Sequence, residues 1–89
     1  FEYSLAQNYP NPFNPSTKIS FSLKRGGPTR LTMFNLLGKE VATLVSKHLD
    51  AGGHSVELDA GRFGLTSGVY FYRLQSADFT ATRKLILAK

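Results

Sequence analysis

The side chains able to carry acid–base, nucleophilic or metal chemistry are few in this chain, and their spacing suits none of these. The two histidines, His48 and His54, lie six positions apart, which matches no zinc signature. Cysteine is absent, so thiol catalysis and thiolate metal sites are excluded. A glycosidase needs two carboxyl groups facing each other across a cleft, whereas Glu57 and Asp59 share a strand face that we expect to be solvated. We therefore predict no catalytic site, no bound metal and no cofactor.

Weak calcium binding stays open as an alternative. Asp50 and Asp59 bracket a predicted strand, and Asn8, Asn11 and Asn14 punctuate a proline-rich run. Calcium requires several closely spaced oxygen ligands. Asparagines in such a run more simply cap their own turns, so the sequence favours the structural interpretation.

Tyr70 and Tyr72 are the aromatic pair best placed to bind a ligand. They alternate along a strand-like segment and share one face, as sugar-stacking rings do. Such platforms usually contain tryptophan, which this sequence lacks. Core packing, with the phenolic oxygens at the rim, is the competing interpretation. A carbohydrate-binding or structural accessory module of a secreted polysaccharide-active enzyme is therefore the alternative function.

Length and composition limit the class of protein. With 89 residues, 42% hydrophobic and 12% aromatic, the chain predicts a single folded domain over residues 1–89. The formal charge of +5 is spread along the chain without a recognition signature, so we expect no nucleic-acid partner. No apolar run reaches the about 18 to 20 residues of a membrane helix. A first residue other than methionine suggests a piece of a longer protein.

Alternating apolar and polar residues predict short strands along most of the chain. The predicted strands cover residues 1–5, 18–23, 29–34, 39–46, 54–58, 69–75 and 79–88. Within 39–46 the apolar spacing also fits one helical turn. Residues 35–38 form a predicted hairpin loop, in which Gly38 supplies a left-handed conformation beside a bulge. About seven short strands predict an all-β, immunoglobulin-like antiparallel β-sandwich.

The run 8–15 is the most unusual local feature. Its three prolines fix φ, remove three backbone donors and keep the preceding residues out of the helical region. We predict an extended, kinked connector here. The rings of Tyr9 and Phe13 are expected to pin it to the core.

Three blocks in a fixed order carry a resemblance to a known family. They are LAQNYPNPFNPST at 5–17, FNLLGKEV at 34–41 and SGVYFYRL at 67–74, followed by the basic and apolar finish KLILAK. Together they strongly resemble the type A C-terminal sorting domain of the type IX (Por) secretion system, over essentially the whole chain. The motif residues of that family map onto Tyr9, Pro10, Asn11, Pro12, Phe13, Gly38, Gly68, Tyr70, Tyr72, Arg73, Lys84 and Lys89.

The resemblance implies a non-catalytic sorting signal with an immunoglobulin-like fold. In this family the domain folds in the periplasm and is recognised by the outer-membrane translocon. A sortase-like surface protease commonly removes it, and the cargo is released or attached to anionic lipopolysaccharide. We therefore expect periplasmic transit followed by a cell-surface or extracellular location.

The last predicted strand is the expected recognition element. The translocon would bind it partly by backbone pairing along its edge, with basic side chains setting the orientation. The predicted partner-recognition residues are Arg73, Arg83, Lys84, Leu85, Leu87 and Lys89. An exposed last strand could also pair with a copy of itself. A purely structural spacer domain remains a rival interpretation.

Three positions depart from the pattern of the family. Gly53 stands where an aromatic residue is common, and Leu58 stands where tryptophan is common. Ala77 occupies a turn position that often carries glycine. If Ala77 takes a positive φ, the strain should cost about 1 kcal/mol or more.

Overall fold

The computed structural model describes residues 1–88 and consists of two antiparallel sheets that share one core. The described strands are β1 (Ser4–Leu5), β2 (Ser16–Leu23), β3 (Gly27–Phe34), β4 (Glu40–Leu49), β5 (Gly52–Asp59), β6 (Gly68–Ser76) and β7 (Phe79–Leu87). One sheet has the order β1-β2-β5 and the other β4-β3-β6-β7. The predicted all-β sandwich of about seven strands is confirmed.

The sandwich follows from the period-two alternation along each strand. In β2 the residues Ile19, Phe21 and Leu23 are buried, while the polar residues between them lie outside or at the margin. In β6 the inward row includes Tyr72 and Leu74, both fully buried. Because successive side chains point to opposite faces, each sheet presents one apolar face, and the two faces form the core.

Two register irregularities explain why β4 also resembled a helical turn. Leu31 pairs with Val45 and Thr32 with Thr43, so Leu44 is an extra residue in β4. In the same way, Met33 pairs with Ala42 and Phe34 with Glu40, so Val41 is a second extra residue in β4. Each bulge shifts the alternation by one residue. The apolar spacing therefore departs from period two although the segment is a strand throughout.

Some strands begin or end at other residues than predicted, because pairing with the neighbouring strands determines where they begin and end. Only Ser4 and Leu5 of the predicted first strand pair with β2. β3 begins at Gly27, so Pro28 lies inside a strand that was predicted to start after it. The proline is tolerated because the pairing with β6 stops at Thr29 and leaves Pro28 with a neighbour on one side only.

The loop between β5 and β6 contains a short 3₁₀-helix, Ala60–Phe63. The carboxylate of Asp59 accepts a hydrogen bond from the N–H of Gly61 and caps this helix. Leu65 is buried and Phe63 packs at the edge of the core. The loop is therefore packed against the core, and Asp59 has a structural role.

The three departures from the family pattern are accommodated locally. Ala77 has a φ of 51° and is the one non-glycine residue with positive φ among the described residues. A side chain at Gly53 would meet the ring of Phe1, whose nearest carbon is 3.5 Å from the position of a Cβ. Leu58 is fully buried. The strain expected at Ala77 is thus present in the turn between β6 and β7.

Candidate recognition surface

The histidines and acidic residues do not converge. The imidazole of His48 lies 3.7 Å from the carboxylate of Asp50 at the surface. The ring of His54 hydrogen-bonds the carbonyl of Asp50 at 2.8 Å and stacks on Phe21. In residues 1–88 no group of three or more histidine, cysteine or acidic side chains could hold a metal ion. No helix in the same range has the length and apolarity to cross a membrane.

Tyr70 and Tyr72 are packing residues in this fold. Tyr72 is fully buried, and its hydroxyl donates to the carbonyl of Ala6 at 2.7 Å and accepts from the N–H of Asn8 at 2.8 Å. Tyr70 is also buried and donates to the carbonyl of Thr66. Neither ring offers a face to solvent, so the pair cannot act as a sugar-stacking platform.

The environment of Tyr72 also changes its acidity. Desolvation by burial raises the pKa of its phenol above the ordinary value of 10.0, while the hydrogen bond from Asn8 and the charge of Arg83 act in the opposite direction. The net shift is upward, so the hydroxyl keeps its proton and remains a donor. The phenol is a fixed link between the sheet and the proline-rich segment.

The proline-rich segment lies against the free edge of β7. We call residues 7–15 the proline strap; its three X–Pro bonds are cis. The N–H of Phe13 donates to the carbonyl of Ile86, and the N–H of Ala88 donates to the carbonyl of Phe13, both at 3.0 Å. The side chain of Phe13 is only 1% exposed. Phe13 therefore pins the strap to the core, as predicted.

Side chains of the strap cover the same edge. Asn11 accepts the N–H of Ile86 at 3.0 Å, and Gln7 donates to the carbonyl of Lys84 at 2.7 Å. Backbone groups of alternate residues point to the same side of a strand, so the outward groups of residues 84–88 are largely paired with the strap. A partner strand could reach only the first half of β7, near Thr80 and Thr82, while the strap stays in place.

The expectation that Tyr9 pins the strap is wrong. Its ring is 81% exposed, and its backbone forms two 3.0 Å hydrogen bonds with Lys18. The neighbouring Asn8 points inward instead, because adjacent residues of an extended chain face opposite ways. The amide of Asn8 donates to the carbonyl of Pro10 and to the hydroxyl of Thr17. Alternation with Tyr9 was the one sequence signal for this buried asparagine.

The predicted recognition residues lie on different sides of the sandwich. Arg73 and Lys84 are on the outer face of the four-stranded sheet, where Arg73 stacks over the ring of Phe34 at 4.5 Å. Arg83 has the opposite parity, and its Nε donates to the carbonyl of Leu5 at 2.6 Å. Arg83 therefore ties β7 to β1.

The remaining three predicted positions offer no side chain on the described surface. Leu85 and Leu87 are buried in the core, so a partner could meet them only through the backbone. Lys89 lies outside the described residues. Among the six positions, Arg73 and Lys84 are the two that the fold brings to one face, and their role in recognition stays a prediction.

The outer face around Arg73 and Lys84 combines half-buried apolar groups with basic ones. We define the basic–aromatic face as Phe34, Val69, Phe71, Arg73, Lys84 and Ile86. Phe71 pairs across the sheet with Phe34 on one side and with Lys84 on the other. The Nε of Arg73 is buried and has no hydrogen-bond partner among the described residues. This face can therefore offer apolar contacts and positive charge together.

The β3–β4 hairpin loop lies at the end of this face. Gly38 has a φ of 82°, so the predicted left-handed conformation is confirmed. The side chain of Asn35 accepts from the N–H groups of Leu37 and Lys39, each at 3.0 Å. Leu36 is 67% exposed and Leu37 is 92% exposed. The sequence predicted the loop, but it did not predict two leucines left in solvent.

Comparison with known proteins gave one family. A family model described as "Secretion system C-terminal sorting domain" matches residues 7–88. No curated protein matches the chain. The matched range contains the whole proline strap, the hairpin loop and the strands from β2 to β7.

Proposed function

Because this chain belongs to the family of secretion system C-terminal sorting domains, we propose that it directs its parent protein through the outer-membrane translocon of the type IX secretion system. The family identity makes the chain a sorting signal of type IX secretion and implies export to the cell surface or the extracellular space. The observation that carries the proposal is the match over residues 7–88, nearly the full length. The finer steps of this route are proposals developed below.

We propose that the folded shape of residues 1–89, acting as one domain, is the signal, and that the chain does no chemistry of its own. The first part of this proposal, a single folded domain, is supported by the core that both sheets and the strap share through Phe13. In this account the parent protein passes through the periplasm, where the sandwich folds before the translocon binds it.

The proposed partner contact is a composite of β7 and the strap that covers it. The strap occupies the edge at Lys84 and Ile86, so a bare strand edge is not what a partner would meet there. Charge from Lys84 and Arg73, both on the outer face, would orient the incoming partner. Backbone pairing could add to this only along the first half of β7.

We further propose that a sortase-like protease removes the domain at the cell surface. The intact mass of the parent protein before and after export tests this step. Loss of a mass close to the 9.8 kDa of this chain is expected. An unchanged mass at the surface would show that the domain is retained.

A secreted reporter tests the sorting function itself. A reporter with an inner-membrane export signal, followed by these 89 residues, is expected to leave cells that have a type IX secretion system. The same reporter without the 89 residues should stay in the periplasm. Equal retention of both fusions would refute the sorting function and favour a structural spacer or a carbohydrate-binding module. The buried Tyr70 and Tyr72 give the latter no exposed platform.

A further inference from the structure

The hairpin tip between β3 and β4 exposes more apolar surface than the fold needs. Phe1, Tyr9, Leu36 and Leu37 are the exposed large hydrophobic residues of the described chain. Two of these four are adjacent at this tip. Short loops normally carry polar or small residues, because nothing in the loop can cover an apolar side chain. The two leucines therefore call for an explanation outside the folding of the chain.

The loop that carries the leucines is held by its own hydrogen bonds. Asn35 donates its N–H to the carbonyl of Lys39 at 2.9 Å and accepts the N–H of Gly38 at 3.0 Å. Its side chain accepts two further N–H groups, from Leu37 and Lys39. A loop fixed in this way loses little conformational freedom on binding. The leucines are thus presented on a rigid support.

The surroundings of the tip are basic and apolar. The hairpin continues directly from Phe34, against whose ring the guanidinium of Arg73 is stacked. Lys39 lies in the loop itself. The nearby acid, Glu40, is already engaged by Arg30 at 3.3 Å and by the hydroxyl of Thr43 at 2.9 Å. The tip and the basic–aromatic face therefore carry an excess of positive charge next to exposed apolar groups.

We propose, on the basis of the sorting function above, that Leu36 and Leu37 anchor the domain in an apolar pocket of a protein of the secretion machinery, and that this pocket is rimmed by carboxylates. Side chains that fill a pocket and become fully desolvated contribute most of the binding energy at interfaces. Carboxylates at the rim would complement the positive charges of Lys39 and Arg73. The forked donors of the Arg73 guanidinium match a carboxylate in geometry.

The same chemistry favours a protein over a lipid surface. Segments that lie on membranes present a long apolar face with a basic border, typically an amphipathic helix. Here the exposed apolar group is confined to two adjacent residues on a tight loop. Such a compact projection fits a pocket, and a membrane contact is therefore the competing outcome of the experiment.

The double substitution Leu36→Ser with Leu37→Ser tests the anchor in the reporter fusion. Both side chains are exposed, so the denaturant midpoint of unfolding should not change. Export is expected to fall at least tenfold. The matched control is Phe1→Ser, which removes an equally exposed hydrophobic residue outside the matched range and should leave export unchanged. Export of the folded double variant at the wild-type level would overturn the anchor and leave the sorting function intact.

Photo-crosslinking identifies what the tip touches. With Leu37→p-benzoylphenylalanine, the fusion should form an adduct with a protein of the outer-membrane machinery in cells. Leucine-dependent sedimentation of the purified chain with vesicles containing anionic phospholipid, without a protein adduct, would overturn the pocket in favour of a membrane contact. Failure of the wild-type fusion to be exported would instead refute the sorting function, and this inference with it.

Discussion

At the scale of single residues, the phenol of Tyr72 connects the proline strap to the four-stranded sheet. Its hydroxyl joins the carbonyl of Ala6 to the N–H of Asn8, through a part-buried hydrogen bond to Ala6 and a buried one to Asn8. A buried donor or acceptor that loses its partner costs more than the hydrogen bond contributes. Much of the strap's position should therefore depend on one oxygen atom.

Removing that oxygen should weaken the fold measurably. For Tyr72→Phe we expect the free energy of unfolding to fall by about 1–3 kcal/mol, because the buried N–H of Asn8 and the carbonyl of Ala6 lose their partner. Denaturant-induced unfolding gives the value. Tyr9→Phe is the control, since its ring is in solvent, and it should change stability by less than about 0.5 kcal/mol. Equal effects of the two variants would contradict the assigned role of Tyr72.

The raised pKa of Tyr72 predicts a dependence of stability on alkaline pH. Because burial raises the pKa in the folded state above 10.0, the unfolded chain releases the phenolic proton first. The contribution of this group is therefore fully present below pH 10 and is lost as the pH rises towards the folded-state pKa. Unfolding free energies measured from pH 9 upward should fall more steeply for the wild type than for Tyr72→Phe. Parallel curves would show that Tyr72 is not responsible.

The strain at Ala77 gives a prediction of opposite sign. Glycine adopts a φ near 51° without a Cβ clash, so Ala77→Gly should raise the free energy of unfolding by about 0.5–1 kcal/mol. Thermal or denaturant unfolding provides the measurement. Ala51→Gly is the matched control in another exposed turn without positive φ, and it should lower stability by about 0.4–1 kcal/mol. A loss of stability in both variants would exclude strain at Ala77.

At the scale of elements, the strap and β7 act as one unit. The strap closes the edge of the four-stranded sheet at Ile86 and Ala88, whereas a partner was expected to pair along the edge of the whole last strand. Covering an edge is a common protection against pairing with other chains. Self-association through β7 is accordingly expected to be limited to its first half.

The contact between the strap and β7 can be followed by hydrogen exchange at one backbone amide, that of Ile86. Asn11→Ala removes the acceptor of the Ile86 N–H, so hydrogen exchange at Ile86 should accelerate while amides of β2 and β5 keep their rates. The stability loss should be about 0.5–1 kcal/mol, since the bond is near the surface. Asn14→Ala is the control, because this asparagine of the strap is exposed like Asn11, but the acceptor of the Ile86 N–H belongs to Asn11. Unchanged exchange at Ile86 in Asn11→Ala would contradict the covered edge.

The sequence predicted those parts of the fold that depend on local alternation. The strand predicted over residues 18–23, which extends over Ser16–Leu23 in the structure, and the left-handed Gly38 both follow from short-range rules. The pairing of the strap with β7 did not follow, because Phe13 and Ile86 are far apart in the chain and only topology brings them together. The bulges at Val41 and Leu44 were missed because the break in alternation that they cause fits one helical turn equally well.

The geometry of the candidate recognition surface was only partly predictable for a related reason. Parity along a strand is visible in the sequence, and it places Arg83 on the inward side with Leu85 and Leu87. Parity does not show which residue lies beside a given residue on the neighbouring strand. The stacking of Arg73 over Phe34 and the exposure of Leu37 depend on strand order and loop geometry. Charge and motif therefore selected strands of the four-stranded sheet, but they did not show which of the selected residues share a face.

At the scale of the whole molecule, the sandwich is closed on one side and open on the other. The strap and Arg83 close the side where β1 and β7 meet. On the opposite side β4 and β5 are the outer strands of their sheets. If shape is the signal, export should require this closed arrangement, and not only the presence of the motif residues.

The most direct test is the fraction of a reporter found outside the cells when it carries the wild-type chain, the Phe13→Ala chain or no chain. Phe13 is 1% exposed, so its truncation should cost about 3–5 kcal/mol and release the strap. We predict efficient export with the wild-type chain, and retention in the periplasm with Phe13→Ala and without the chain. Export of an unfolded Phe13→Ala fusion at the wild-type level would contradict a signal read from the folded sandwich.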